Sequence, residues 1–243
     1  MTHRERFQKL FTFQPVDRIP VYFFGSWPET RARWKEEGFA GEYLPYGDQG
    51  PQLDGMDPDW EAGMWNLHGI AHIGPIGDQA WAVLEDRGDG TRIVRNSLGK
   101  VELVRTDGAS IPHTLAFPLE PTRASWNRFK TFFEAKQGER YAKGWEDIAD
   151  RRNAQDIVTC FLGGSLYGWI RDYMGVESLS YLQYDDPLLL EEMVETIAEH
   201  MMRLTGPMLR RMKIDFVYFF EDCCGSSGPL FSPSKYKEIY DRY

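Results

Sequence analysis

The chain has 243 residues, 42% of them hydrophobic and 14% aromatic, which suits a sizeable core and excludes a disordered chain. Its formal charge of −9 argues against nucleic acid or an anionic membrane as partner, because each needs a basic face. Cys160, Cys223 and Cys224 show neither disulfide nor zinc spacing. No apolar run reaches about 18 residues, and MTHRERFQKLF lacks a signal-peptide pattern. The expectation is a soluble, cytoplasmic protein.

Thr2 is the expected N-cap of a first helix carrying Phe7, Leu10 and Phe11, and Pro15 stops it. Residues 18–24 are almost wholly apolar, the pattern of a strand buried on both faces. Gly25 breaks it, and Pro28 opens a helix over Glu29 to Glu37. Residues 39–75 are rich in Gly, Pro and Asp and give no clear period. Trp81–Glu85, Arg92–Arg95 and Val101–Arg105, separated by Asp89-Gly90 and Gly99, predict an antiparallel meander with one wet face, inserted at about 79–107.

Helical period returns at Ser125, the expected cap of a helix with Trp126, Phe129, Phe132 and Phe133. Asp156–Leu162 reads as a second buried strand, followed by Gly163-Gly164-Ser165 and a helix. A long amphipathic helix runs from Pro187 to about Met212, with Asp185-Asp186 as its cap. Ile214–Phe220 is a third buried strand, and Ser232-Pro233 opens a last helix. Apolar strands alternating with amphipathic helices define an α/β fold with a parallel sheet, either a closed barrel or an open doubly wound sheet. The loop after Leu162 lacks GxGxxG, and no Walker lysine is present.

Ligands of parallel α/β folds bind at the C-terminal strand ends. The first end offers Gly25, Ser26 and Trp27. The second offers Gly163, Gly164, Ser165, Tyr167 and Arg171, where glycines leave room for a ligand or simply make a turn, and Arg171 with Asp172 also reads as a surface pair. The third offers Glu221 and Asp222, two carboxylates after an apolar run. They are candidate general acid–base residues, or alternatively a solvated loop or a helix cap. Cys223 and Cys224 are adjacent and cannot readily share one tetrahedral ion, so they read as core or loop thiols. His68 and His72 stand four apart, but Gly69 and Gly74 argue against the helix that would face them to a common metal.

Three segments taken in order resemble the uroporphyrinogen decarboxylase family: Asp17-Arg18-Ile19-Pro20-Val21 after the first helix, Gly163 to Pro187 with Met174-Gly175-Val176-Glu177, and Phe220 to Pro233. The resemblance implies a single domain over 1–243, an incomplete (β/α)8 TIM-type barrel whose family continues beyond Tyr243. It places the chain on the methyltransferase-like side, because Gly25-Ser26-Trp27 stands where the decarboxylases carry an arginine-rich stretch. Asp222 stands where they carry a serine, and their catalytic aspartate has no match. A pocket that loses arginines and gains an acid is poorly matched to an eight-carboxylate tetrapyrrole. The function implied is one-carbon or methyl transfer involving a corrinoid (cobalamin) carried on a partner protein. Zinc is implied only if its ligands lie beyond residue 243. The alternatives are decarboxylation of uroporphyrinogen in porphyrin biosynthesis, which needs no cofactor, and a non-catalytic binding relative.

Overall fold

The computed structural model describes residues 1–21, 27–41, 43–44, 52–53, 70–107 and 111–243. In chain order the helices are α1 (His3–Phe11), α2 (Pro28–Glu36), α3 (Arg123–Phe129), α4 (Thr131–Glu134), α5 (Trp145–Asn153), α6 (Tyr167–Met174), α7 (Val176–Asp185), α8 (Pro187–Arg211) and α9 (Pro233–Ile239). The strands are β1 (Tyr43–Leu44), β2 (Gln52–Leu53), β3 (Ala82–Asp86), β4 (Thr91–Arg95), β5 (Val101–Arg105), β6 (His113–Ala116), β7 (Cys160–Gly164), β8 (Phe216–Phe219), β9 (Cys224–Gly225) and β10 (Gly228–Pro229). The chain divides into two compact units. Met1–His72, Glu139–Gly163 and Leu204–Tyr218 form the first, and Ile73–Gly138, Gly164–Arg203 and Phe219–Tyr243 the second.

In the first unit, α1 opens on a capping box. Thr2 Oγ1 accepts from the Glu5 amide, and the Glu5 carboxylate accepts from the Thr2 amide, which satisfies two donors that a helix start leaves open. Phe7 is buried and stacks on Phe216 at 5.1 Å, whereas Phe11 is exposed. Two carboxylates tie this helix down. Asp17 accepts both Arg6 Nε (2.7 Å) and Arg6 Nη2 (2.9 Å), so the aspartate of the Asp17–Val21 segment holds a buried guanidinium in place. Asp215 Oδ1 accepts from Arg4 Nε (3.0 Å) and Gln8 Nε2 (2.7 Å), while its Oδ2 accepts from the Thr159 amide at 2.8 Å.

Strands β7 and β8 pair with each other. Thr159 O accepts from Asp215 N, and Gly164 O accepts from Phe220 N. Both partners advance by the same step, so the strands run parallel. Two expected strands differ from their reading. Ile19 and Val21 are 71% and 51% exposed, so the described part of 18–24 is not buried on both faces, and residues 22–24 lie outside the described residues. β8 alternates, with Phe216 and Tyr218 half-buried and Val217 and Phe219 exposed. An apolar run describes side chains, but only elements packed on both faces bury both sets.

The second unit holds the expected meander, extended by β6 into a four-stranded antiparallel sheet of order β3-β4-β5-β6. Asp89 Oδ1 accepts from both the amide and the hydroxyl of Thr91 at the first turn. Asn96 Oδ1 accepts from the Leu98 and Lys100 amides at the second, where Gly99 takes a φ of 90°. The helices of this unit enclose a core that includes Trp126, Phe133, Ile170, Leu190, Met193 and Ile197. The cap of α3 is Thr122 rather than the expected Ser125. Thr122 accepts from the Ser125 amide, and the buried Ser125 hydroxyl accepts from the Glu120 amide. Asp186 caps α8 as expected, accepting from the Leu189 amide at 3.0 Å. Among the described residues no helix is long and apolar enough to cross a membrane.

Asp215→Asn removes the charge that holds Arg4 and is expected to lower unfolding stability by roughly 3 kcal/mol, read as a reduced urea midpoint at constant slope. Asp17 gives a pH test. The Arg6 guanidinium bonded to it holds its carboxyl well below the ordinary carboxylate range, so its contribution is complete above the unfolded value and fades as pH falls toward the depressed one. Asp17→Asn should therefore lower the thermal midpoint at neutral pH, and the gap to the natural protein should begin to narrow only below about pH 4 and keep narrowing as the acid strengthens.

Candidate functional site

The second and third strand ends meet in the second unit. Ser165 and Leu166 follow the last glycine of β7, and Phe220-Glu221-Asp222 follow β8. Leu166, at the N-cap of α6, has no side chain able to cap the helix. Glu221 supplies the cap from the neighbouring strand. Its Oε1 accepts from the Leu166 amide at 2.5 Å, and its Oε2 accepts from the Gly168 amide and the Ser165 hydroxyl, both at 2.9 Å. A carboxylate among the amides of a helix start is favoured by hydrogen bonding and by the helix dipole together.

Close approach makes glycine necessary at two positions. A Cβ on Gly168 would stand 2.3 Å from Ser165 Oγ and 3.0 Å from the Phe220 carbonyl. Gly164 has a φ of 89°, and a Cβ there would meet Met201 Sδ at 2.8 Å and Trp169 at 3.1 Å. The space expected beside Gly164 for a ligand is therefore filled by side chains.

The remaining candidates separate into a packed layer and an exposed aspartate held by a largely buried arginine. Ser165 is buried and its hydroxyl is engaged by Glu221. Tyr167 is buried against Phe231 (4.5 Å between ring centroids) and Tyr240 (5.8 Å), and burial pushes its hydroxyl pKa up. Gly163 is buried and ends the middle segment of the first unit. Arg171, 16% exposed, donates from Nη1 to the Asp222 carbonyl (2.8 Å) and from Nη2 to Asp222 Oδ2 (3.2 Å) and Asp172 Oδ1 (2.8 Å). The Asp222 side chain is 56% exposed. Trp27 belongs to the first unit, where it is the exposed N-cap of α2, while Gly25 and Ser26 lie outside the described residues.

Glu221 thus holds the turn, since three donors already occupy its carboxylate. Asp222 presents an acceptor to solvent, and Arg171, whose Nε, Nη1 and Nη2 all donate to Asp172 or Asp222, fixes its position. Sequence reasoning missed Phe231, Tyr236 and Tyr240, which form an aromatic cluster with Tyr167. Tyr236 and Tyr240 stand one helical turn apart, a signal of a packed face that could have been read. Tyr240 is 3% exposed, and its hydroxyl has no hydrogen-bond partner among the described residues.

Among the described residues no group of three His, Cys, Asp or Glu side chains could hold a metal, and His68 lies outside them. A shallow groove of about 630 Å³ in the first unit, lined by Trp145, Glu146, Asp150, Pro207, Arg210 and Arg211, contains none of the candidate residues. Comparison of the chain with protein-family models, curated proteins and solved structures found no match.

Glu221→Ala removes three hydrogen bonds to one charged group and is expected to lower stability by roughly 3 kcal/mol. Hydrogen exchange should quicken first at the amides of Leu166 and Gly168. Unchanged exchange there would show that the cap contributes nothing.

Proposed function

We propose that the chain is an enzyme of the uroporphyrinogen decarboxylase type, built on a (β/α)8 barrel, that transfers a one-carbon or methyl group to a corrinoid carried on a partner protein. The observation supporting this reading is the adjacency of the β7 and β8 ends, where Asp222 faces solvent and is held by the largely buried Arg171 while Glu221 locks the turn beneath them. An exposed acid at a strand end suits a second substrate that arrives on another protein.

A reduced corrinoid supplies the nucleophile when bound. Asp222 would relay a proton taken up from solvent to the heteroatom that leaves with the electron pair of its bond to the methyl carbon, and Arg171 would orient Asp222 and steady the negative charge that builds on the leaving atom. Glu221 is a positioning residue. No step is assigned to zinc. In this reading the protein works in the cytosol, in keeping with its free thiols.

Arg171 also favours a second reading, because a guanidinium binds carboxylates and uroporphyrinogen carries eight of them. The deciding experiment offers the purified protein two substrates in parallel. One is cob(I)alamin with a panel of methylated thiols, amines and ethers, followed by the absorbance of the methylated corrinoid. The other is uroporphyrinogen, followed by coproporphyrinogen. Methylation that falls about 100-fold in Asp222→Asn is expected. Coproporphyrinogen formation without methylation would replace the proposal with the decarboxylase. Neither reaction, with Asp222→Ala leaving binding of cobalamin and uroporphyrinogen unchanged, would replace it with a non-catalytic binding protein.

A further inference from the structure

Cys223 and Cys224 follow the site directly, and the proposed function uses neither. Cys224 is exposed and opens β9, whose hairpin to β10 turns at Ser226 and Ser227. Cys223 is half-buried, packed against the core of the second unit, where burial and the adjoining Cys224 thiol both push its own thiol pKa up. An accessible thiol therefore stands next to a sheltered one. Cys160, the third thiol, is fully buried.

The backbone around the pair is held by two hydrogen bonds. The Cys223 amide donates to the Glu221 carbonyl at 2.7 Å, and the Cys223 carbonyl accepts from the Leu230 amide at 2.9 Å. In the hairpin register Cys224 stands opposite Pro229, which has no N–H to give. The Leu230 bond is thus a principal tie at this end of the hairpin. It runs to the carbonyl of the very peptide that joins the two cysteines.

We propose that Cys223 and Cys224 are a thiol-modification site, a vicinal pair that low-molecular-weight disulfides convert to an eight-membered disulfide ring, releasing the β9–β10 hairpin. The Cys224 thiolate attacks one sulfur of the small disulfide, forming a mixed disulfide and expelling one small thiolate, which takes up a proton. The Cys223 thiol then attacks the Cys224 sulfur, loses its proton and expels the second small thiol. Two electrons and two protons pass from the protein to the reagent. No other oxidant is needed.

Ring closure has a geometric consequence. Consecutive Cα atoms across a trans peptide are about 3.8 Å apart, whereas disulfides ordinarily join Cα atoms at least about 4.4 Å apart. No rotation lengthens that separation, so the ring is strained, and it fixes the torsions on either side of the Cys223–Cys224 peptide. The ring rather than the hairpin then orients that peptide plane, which takes the Cys223 carbonyl off Leu230. It also bears on Asp222, which directly precedes Cys223 and whose carbonyl and carboxylate hold Arg171.

The test treats the natural protein with oxidised glutathione, reads intact mass, and follows amide hydrogen exchange. The expected product has lost two hydrogens and carries no glutathione, two equivalents of reduced glutathione are released, and exchange at the Leu230 amide rises about ten-fold, as for one lost hydrogen bond. Cys223→Ser should stop at a stable glutathione adduct on Cys224, and Cys224→Ser should react at least about ten-fold more slowly than the natural protein. A stable adduct on the natural protein, reaction at Cys160 as fast as at Cys224, or unchanged Leu230 exchange in the ring-closed form would each overturn the proposal. None of these readings depends on methyl transfer or decarboxylation.

Discussion

Everything at the rim of the second unit rests on one carboxylate. A helix start exposes amide groups that must find acceptors, and Leu166 cannot provide one from its own side chain. Glu221 reaches across from the end of β8, takes two of those amides and the Ser165 hydroxyl, and so fixes the β7 turn, the start of α6 and the β8 end against one another. Gly168 allows the approach because any side chain there would collide with Ser165 and the Phe220 carbonyl. With the turn fixed, Arg171 on the next turn of α6 is held where it meets Asp222.

Two neighbouring carboxylates thereby acquire unlike roles. Glu221 accepts from two amides and a hydroxyl, and Asp222, one residue later, extends into solvent beside a guanidinium. A strand end alternates its side chains, so adjacent acids point to different environments. A structural cap and a solvent-facing acid are separated by a single peptide.

Much of the element order was legible in the sequence, and the reasons are local. The Thr2–Glu5 box, the Asp89-Gly90 and Gly99 turns and the Asp186 cap all depend on residues within a few positions of each other. The long period of α8 is visible without any partner. What was not legible depends on distance. Nothing near Ile19 or Val21 announces that their faces stay open, and an apolar run cannot say that β8 is covered on one side only. Glu221 and Asp222 were recognised as the acids to inspect, but spacing could not divide them, because their division is made by amides that lie more than fifty residues earlier in the chain. Gly164 read equally as room for a ligand or as a plain turn, and only the packing shows Met201 and Trp169 standing where a Cβ would lie.

The borrowed cap on α6 also bears on the order in which the chain folds. A helix of eight residues is too short to persist alone in water, and this one has no acceptor of its own at its start. Its acceptor arrives across a separation of 55 residues, so the loop-closure entropy of that whole span must be met before the helix is secured. α6 is thus a late-maturing element, completed when β8 docks, and the rim assembles in one concerted step instead of growing outward from a preformed helix.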